Sequence, residues 1–233
     1  MGPLGETQAR EQIAACTRLL VHEGIIDFSG HVSVRLPGTD RVLIQPRDTS
    51  RAALTADDLL VVDLDGRLLD GDEPPPSETA LHLCVYRARP DAVAVCHGHP
   101  TFSTLFGCVE APFLPLRNFA YRFADLPVHP DTTHIRTVEQ GEAVARTLGA
   151  HRACLLRAHG TVVAAPSVEE LFMDCLDLEE NARALVYGSA LGPLRPLTPE
   201  EVRALAESYG RSGYRAAKVW EHYLHKGRQA GIL

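Results

Sequence analysis

The chain has 233 residues, 45% apolar and 23% charged, with a net charge of −7. Such a chain can bury a sizeable core in one globular unit, and its acidic balance argues against a general nucleic-acid binder, which needs a cationic face. A polar start without an apolar secretion core, and no run near the ~18 apolar residues of a membrane span, point to a cytoplasmic protein with no membrane partner.

In chain order, residues 6–24 read as a helix, with Ile13, Cys16, Thr17, Leu20 and Val21 at helical spacing and Gly24 as its stop. FSGHVSVR (Phe28 to Arg35) reads as a loop entering a strand, and the PGTD turn leads into a second strand at 41–45. LLVVDLDGRLLDG reads as a hairpin turning at Asp65-Gly66. After Pro74–Pro76, Ser77 is expected to cap a helix running to about Arg89. A buried strand, Ala92 to Cys96, then delivers His97 and His99, and a short helix covers about 101–107. A Pro- and aromatic-rich loop spans 111–130, followed by a helix at about 138–149 and strands at 153–157 and 161–165. Long amphipathic helices are expected at 167–188 and 198–226. Neither a G-x-G-x-x-G nor a G-x-x-x-x-G-K-[ST] phosphate loop is present. The six cysteines (Cys16, Cys84, Cys96, Cys108, Cys154, Cys175) form no C-x-x-C pair and read as reduced, mostly buried thiols.

The local signal with most chemistry in it is CHGHP. His97 and His99 are two residues apart at the end of a strand, so they project to the same side and can share one ion. A second apolar strand, ACLLRAHG, ends in His159. Two strands that each end by presenting histidine suggest convergence at one sheet edge. Glu78, at the start of a helix, is a fourth candidate, although a carboxylate there is also favoured by the helix dipole alone. His82 follows one turn later, and His129 and His134 lie in a loop of the kind that lines sites.

Taken together, PSETALH, CHGHP about twenty residues later and LLRAHG about sixty residues further on resemble the class II aldolase/adducin family, from the first helix to about residue 190. The resemblance implies an α/β fold, a three-layer α/β/α sandwich around a mainly antiparallel central sheet, filling residues 1–233 as one unit with C-terminal helices from about 167. It also implies a homotetramer. The implied metal ligands are His97, His99 and His159, and the implied catalytic acid/base is Glu78, which can also ligate the metal. Adducin-type members keep the fold without the metal site, so retention of all four residues favours an enzyme over a scaffold.

Sugar-phosphate aldolases of the family hold the substrate phosphate through three segments, approximately Ser-Gly-Asn, Thr-Pro-(Ser/Thr)-Gly and Ser-Ser-Glu. The corresponding residues here are Ser29-Gly30-His31, Gln45-Pro46-Arg47-Asp48 and Pro76-Ser77-Glu78. The small residues of a phosphate nest have given way to an imidazole, a guanidinium and a carboxylate. The planar fork of Arg47 suits a bidentate carboxylate. This departure resembles the family's decarboxylase branch and implies a small hydroxylated aromatic or heteroaromatic acid as substrate, such as 3-hydroxy-2-methylpyridine-4,5-dicarboxylate of vitamin B6 degradation. The ring hydroxyl and ortho carboxylate would chelate the ion, Arg47 would hold the second carboxylate, and Gly30, His31 and Ser77 would form the substrate wall. Glu78, or a water it holds, would donate the proton, for which a pKa raised by burial is expected. The decarboxylase resemblance favours Mn2+, while three imidazoles alone suit Zn2+ as well. An aldolase of a non-phosphorylated hydroxy acid or aldehyde is the other enzymatic reading. It needs a general acid, for which Tyr121 or Tyr214 is available.

Overall fold

The computed structural model describes residues 5–209 and 213–233. Helix α1 (Glu6–His22) turns Ala9, Ile13, Cys16 and Leu20 inward. It ends just before Gly24, whose φ of +72° is a left-handed conformation that costs glycine little. Strands β1 (His31–Arg35) and β2 (Arg41–Ile44) form the expected hairpin. Strands β3 (Leu60–Asp63) and β4 (Leu68–Asp70) form the next one, around Gly66.

Helix α2 spans Thr79–Ala88, and its N-cap position is Glu78 rather than the expected Ser77. Ser77 is exposed. Strand β5 (Ala94–Gly98) begins two residues later than expected and carries His97 within the ladder. Helix α3 (Thr101–Phe106) follows. The segment read as a loop at 111–130 contains a 3-10 turn at Asn118–Phe123 and a two-residue strand, β6 (Val128–His129). Next come α4 (Val138–Leu148), β7 (Ala153–Leu156), β8 (Gly160–Ala165) and α5 (Val168–Ser189). The helix expected over 198–226 is two helices, α6 (Pro199–Tyr209) and α7 (Tyr214–Gln229); residues 210–212 between them lie outside the described residues.

The eight strands among the described residues make one sheet in the order β4-β3-β2-β1-β5-β8-β7-β6, antiparallel throughout except for β6 beside β7. Each face of the sheet carries its own core. Side chains alternate along a strand. Val32, Val34, Ala94, Cys96 and Val163 therefore face α1, α5 and the Trp220 of α7, while Val95, Val162 and Ala164 face α2 and α4. This is a three-layer α/β/α sandwich, as expected. All six cysteines are unpaired and only Cys108 is exposed.

The strand order sets the site. The sheet centre is β1-β5-β8, with His31 opposite His97 and His97 opposite Val162. By the same alternation His31, Ser33 and His97 fall on the α2 face of the sheet. Glu78, His82 and Tyr86 are spaced at i, i+4 and i+8, one stripe along α2. That stripe meets the polar ends of β1 and β5.

Candidate metal centre

His97, at the end of β5, and His99, one residue beyond it, converge with His159 in the turn between β7 and β8, so that ligand atoms of all three lie within 4.8 Å of one another. The turn is tight: Leu156 pairs with Gly160, and Ala158 adopts a φ of +54°, uncommon for a residue with a side chain. The strands meet without spacing. A Cβ on Gly160 would stand 2.4 Å from the Gly98 carbonyl oxygen, and one on Gly98 would stand 2.6 Å from that of Ile25. Beyond His99 the chain turns at Pro100 into α3, whose first N–H groups, Phe102 and Ser103, donate at 2.8 Å to the carboxylate of Glu179 from α5.

The hydrogen bonds fix the tautomers. Nδ1 of His97 donates to the Thr161 carbonyl at 3.0 Å, and Nδ1 of His99 donates to Asp27 at 3.1 Å. Each ring is left with a lone pair on Nε2, and these two atoms stand 3.2 Å apart. Burial, and then His97, hold the pKa of His99 below its ordinary value, which opposes a proton between the rings. Both nitrogens of His159 are buried with no hydrogen-bond partner, and burial followed by His97 lowers its pKa to about 4. Facing lone pairs and an unpartnered imidazole are what a divalent cation satisfies, so the residues present fit a metal ion.

Glu78 lies in the same cluster. Its carboxylate is 3.5 Å from His97 Nε2 and 3.6 Å from His159 Nε2, and it accepts the Ile135 backbone N–H at 2.9 Å. Burial raises its pKa, but His97, the Ile135 N–H and His159 outweigh burial and bring it down to about 2. The glutamate is thus an anion here, opposite to the raised pKa expected of a resident acid.

The other expected site residues divide. Gly30 sits against the cluster; a Cβ there would be 3.0 Å from the His97 carbonyl oxygen. His31 is 2% exposed and packs behind His97, ring centroids 5.2 Å apart, with Nδ1 turned to His82. Arg47 and Ser77 are exposed on neighbouring loops, and Arg47 forms no ion pair among the described residues. Tyr121 is not brought to the histidines; it stacks on Tyr209 beside a cavity of about 130 Å³ lined by Phe119, Arg122 and Arg215. Tyr214 is 71% exposed at the start of α7.

Two residues that sequence reasoning did not place in the site belong to it. Asp27 accepts from Ser29 N–H at 2.8 Å and from His99, tying the FSGHVSVR loop to a ring of the histidine cluster. The Asp-x-Ser spacing is an Asx-turn signal that was available. His134, singled out only as lying in a loop of the kind that lines sites, has Nδ1 3.7 Å from Glu78, and Glu78, His134 and His159 form a second set of convergent donors. Its loop is cinched to α4 by Gln140, which donates to Thr133 and accepts from Arg136 and Thr137.

Residues 11–186 match the sequence profile of the class II aldolase and adducin N-terminal domain. The chain belongs to the class II aldolase/adducin family. Among similar class II aldolase-family proteins, a 3,4-dihydroxyphthalate decarboxylase of Arthrobacter keyseri is 30% identical over 95% of both chains. A 3-oxo-tetronate 4-phosphate decarboxylase of Haemophilus influenzae is 30% identical over 76% of this chain and 85% of its own. The solved structure of an L-fuculose 1-phosphate aldolase, at 24% identity, superposes with a TM-score of 0.80 over 87% of this chain and 96% of its own, which shows the fold. Decarboxylases and aldolases break carbon–carbon bonds, and this class II aldolase-family chain is an enzyme of that lyase class.

Proposed function

We propose that the chain is a divalent-metal-dependent decarboxylase of a hydroxylated aromatic or heteroaromatic dicarboxylic acid, with 3-hydroxy-2-methylpyridine-4,5-dicarboxylate as the first candidate substrate and 3,4-dihydroxyphthalate as the second. The observation that carries this reading is the placing of the Glu78 carboxylate 3.5 Å from His97 Nε2 and 3.6 Å from His159 Nε2, in one cluster with the three convergent histidines. A decarboxylase of an aromatic dihydroxy acid, similar across 95% of both chains, supports the aromatic class. A cytoplasmic homotetramer, with residues 1–233 as one class II aldolase/adducin-like unit, belongs to the same proposal.

His97, His99 and His159 would hold the ion, Mn2+ in the first instance and Zn2+ in the second. When bound, such an ion draws electron density from oxygen atoms it touches and so stabilises charge that develops on them. The protein supplies the remainder. The bond between the ring carbon and its carboxylate breaks, the electron pair stays with the ring, carbon dioxide leaves and the ring carbon takes a proton. Glu78, held as an anion, acts by binding the water that carries this proton. His31 acts from behind His97, and Gly30 lets the wall of the site close on it. Exposed Arg47 and Ser77 receive the outer atoms of the substrate.

The test incubates Mn2+-loaded protein with the pyridine dicarboxylate, 3,4-dihydroxyphthalate and a panel of sugar acids. Carbon dioxide release from the aromatic members supports the reading. Aldehyde release, or release from sugar acids alone, rejects it.

A further inference from the structure

Arg51 opens the 3-10 turn Arg51–Ala53 after β2, outside the three segments in which the substrate wall was expected, and is only 6% exposed. Its Nε donates to the Gly30 carbonyl at 3.1 Å, and one terminal nitrogen donates to the carbonyls of Arg47 at 2.7 Å and Thr49 at 2.6 Å. A guanidinium has five N–H donors. Three are used here, all on neutral oxygen, and the second amino group has no hydrogen-bond acceptor among the described residues. No carboxylate among the described residues forms an ion pair with Arg51 either, and its free amino group is not among the enclosed polar atoms, so it stays open to a ligand. Burial pulls its pKa below the ordinary value, offset in part by Asp27 and Asp48.

Beside it is the opposite deficit. Gln45 is fully buried and donates its amide to the same Gly30 carbonyl at 3.2 Å, while its Oε1 has no donor. A cation without an anion and an acceptor without a donor thus share one backbone oxygen. That oxygen belongs to the residue that touches the His97 backbone and precedes His31.

We propose that Arg51 and Gln45 form the anion subsite of the active site, Arg51 taking a carboxylate or phosphate oxygen of the substrate and Gln45 Oε1 accepting an adjacent hydroxyl. The proposal rests on the reading of the histidine cluster as the catalytic centre, and it makes Arg51 rather than exposed Arg47 the main determinant of substrate charge.

Calorimetric binding to Mn2+-loaded protein tests it with three unreactive probes: benzoate, isophthalate and 3-phosphonobenzoate. The second anionic group should strengthen binding over benzoate by roughly 10- to 100-fold. Arg51→Gln should abolish that advantage with metal stoichiometry unchanged. Whichever of isophthalate and 3-phosphonobenzoate gains more identifies the anion. An advantage that survives in Arg51→Gln, or no advantage in the native protein, overturns the proposal. If Arg51→Gln does not fold, native protein carries the test: isophthalate must raise the unfolding temperature more than benzoate at equal concentration, and equal protection overturns the subsite. Anion binding that depends on Arg51 without carbon dioxide release from any aromatic acid would retain the subsite and reject the decarboxylase. Turnover unaffected by Arg51→Gln would do the reverse.

Discussion

Nδ1 of His31 lies 2.7 Å from Nε2 of His82, and both rings are enclosed between the sheet and α2. The contact continues from His82 Nδ1 to Ser33 Oγ at 2.6 Å and from Ser33 to the Tyr86 hydroxyl at 2.8 Å. These polar groups lie deep in a low-dielectric layer and satisfy one another. His82→Leu leaves both His31 and Ser33 without this partner. It should lower unfolding free energy in urea by about 2–4 kcal/mol, with bound metal per chain unchanged. A loss below about 0.5 kcal/mol would show that the chain of contacts contributes little to stability.

The facing Nε2 atoms of His97 and His99 would make a bound metal part of the fold's stability. Adding Mn2+ to chelator-treated protein should raise the unfolding temperature, because an ion at a hundred times its dissociation constant stabilises by about 2.7 kcal/mol. His97→Ala should abolish both that shift and stoichiometric metal. A full shift in His97→Ala would place the ion elsewhere, for example at Glu78, His134 and His159.

Glu78→Gln removes the anion with little change in volume. Turnover should fall about 10²- to 10⁴-fold, the usual worth of a positioned acid/base group. The His97, His99 and His159 set should still retain metal. Undiminished turnover would remove Glu78 from proton delivery.

Acid should destabilise the metal-free fold from neutral pH downward. Burial and then His97 bring His82 to about 3 from an ordinary 6.5, and burial and His97 bring His159 to about 4. The unfolded chain therefore takes up protons below about pH 6.5 that the fold refuses, and stability falls as pH falls through that window. Glu78, at about 2 against an ordinary 4.5, adds a loss only below pH 4.5. The urea midpoint of chelator-treated protein should be highest above pH 6.5 and decline steadily to pH 4. A flat profile would contradict these buried neutral rings.

Arg47 and Arg51 make a matched comparison because only one of them is exposed. Arg47→Ala should weaken isophthalate by no more than about fivefold, in keeping with a solvated contact. A loss as large as that expected for Arg51→Gln would show that the exposed loop closes over the ligand.

Much of this was legible locally. Apolar alternation marked β1, a short buried run marked β5, and spacing alone put His97 and His99 on one side of a strand. The 3-10 turn at Asn118–Phe123 and the two-residue β6 were not legible, because β6 exists only through its pairing with β7, more than twenty residues away. His82 stood in plain view four residues after Glu78, yet its partners His31 and Ser33 lie on another strand. The burial of Arg51 and the exposure of Arg47 could not be told apart either, since both occupy one polar stretch and only the fold of the loop onto Gly30 separates them. The low pKa of Glu78 depends first on His97 and then on the Ile135 N–H, which is supplied by a loop nearly sixty residues on.

The contact between Gly98 and the Gly160 backbone has a consequence for how such a site changes over time. The histidines are registered by main chain pressed on main chain, so their spacing owes nothing to the loops around Arg47, Ser77 and His134. The side chains of Arg47 and Ser77 can vary without moving the histidines. A lineage can exchange the wall that chooses the molecule while inheriting the centre that acts on it, and a designer can redraw the same wall with the ligand geometry held constant.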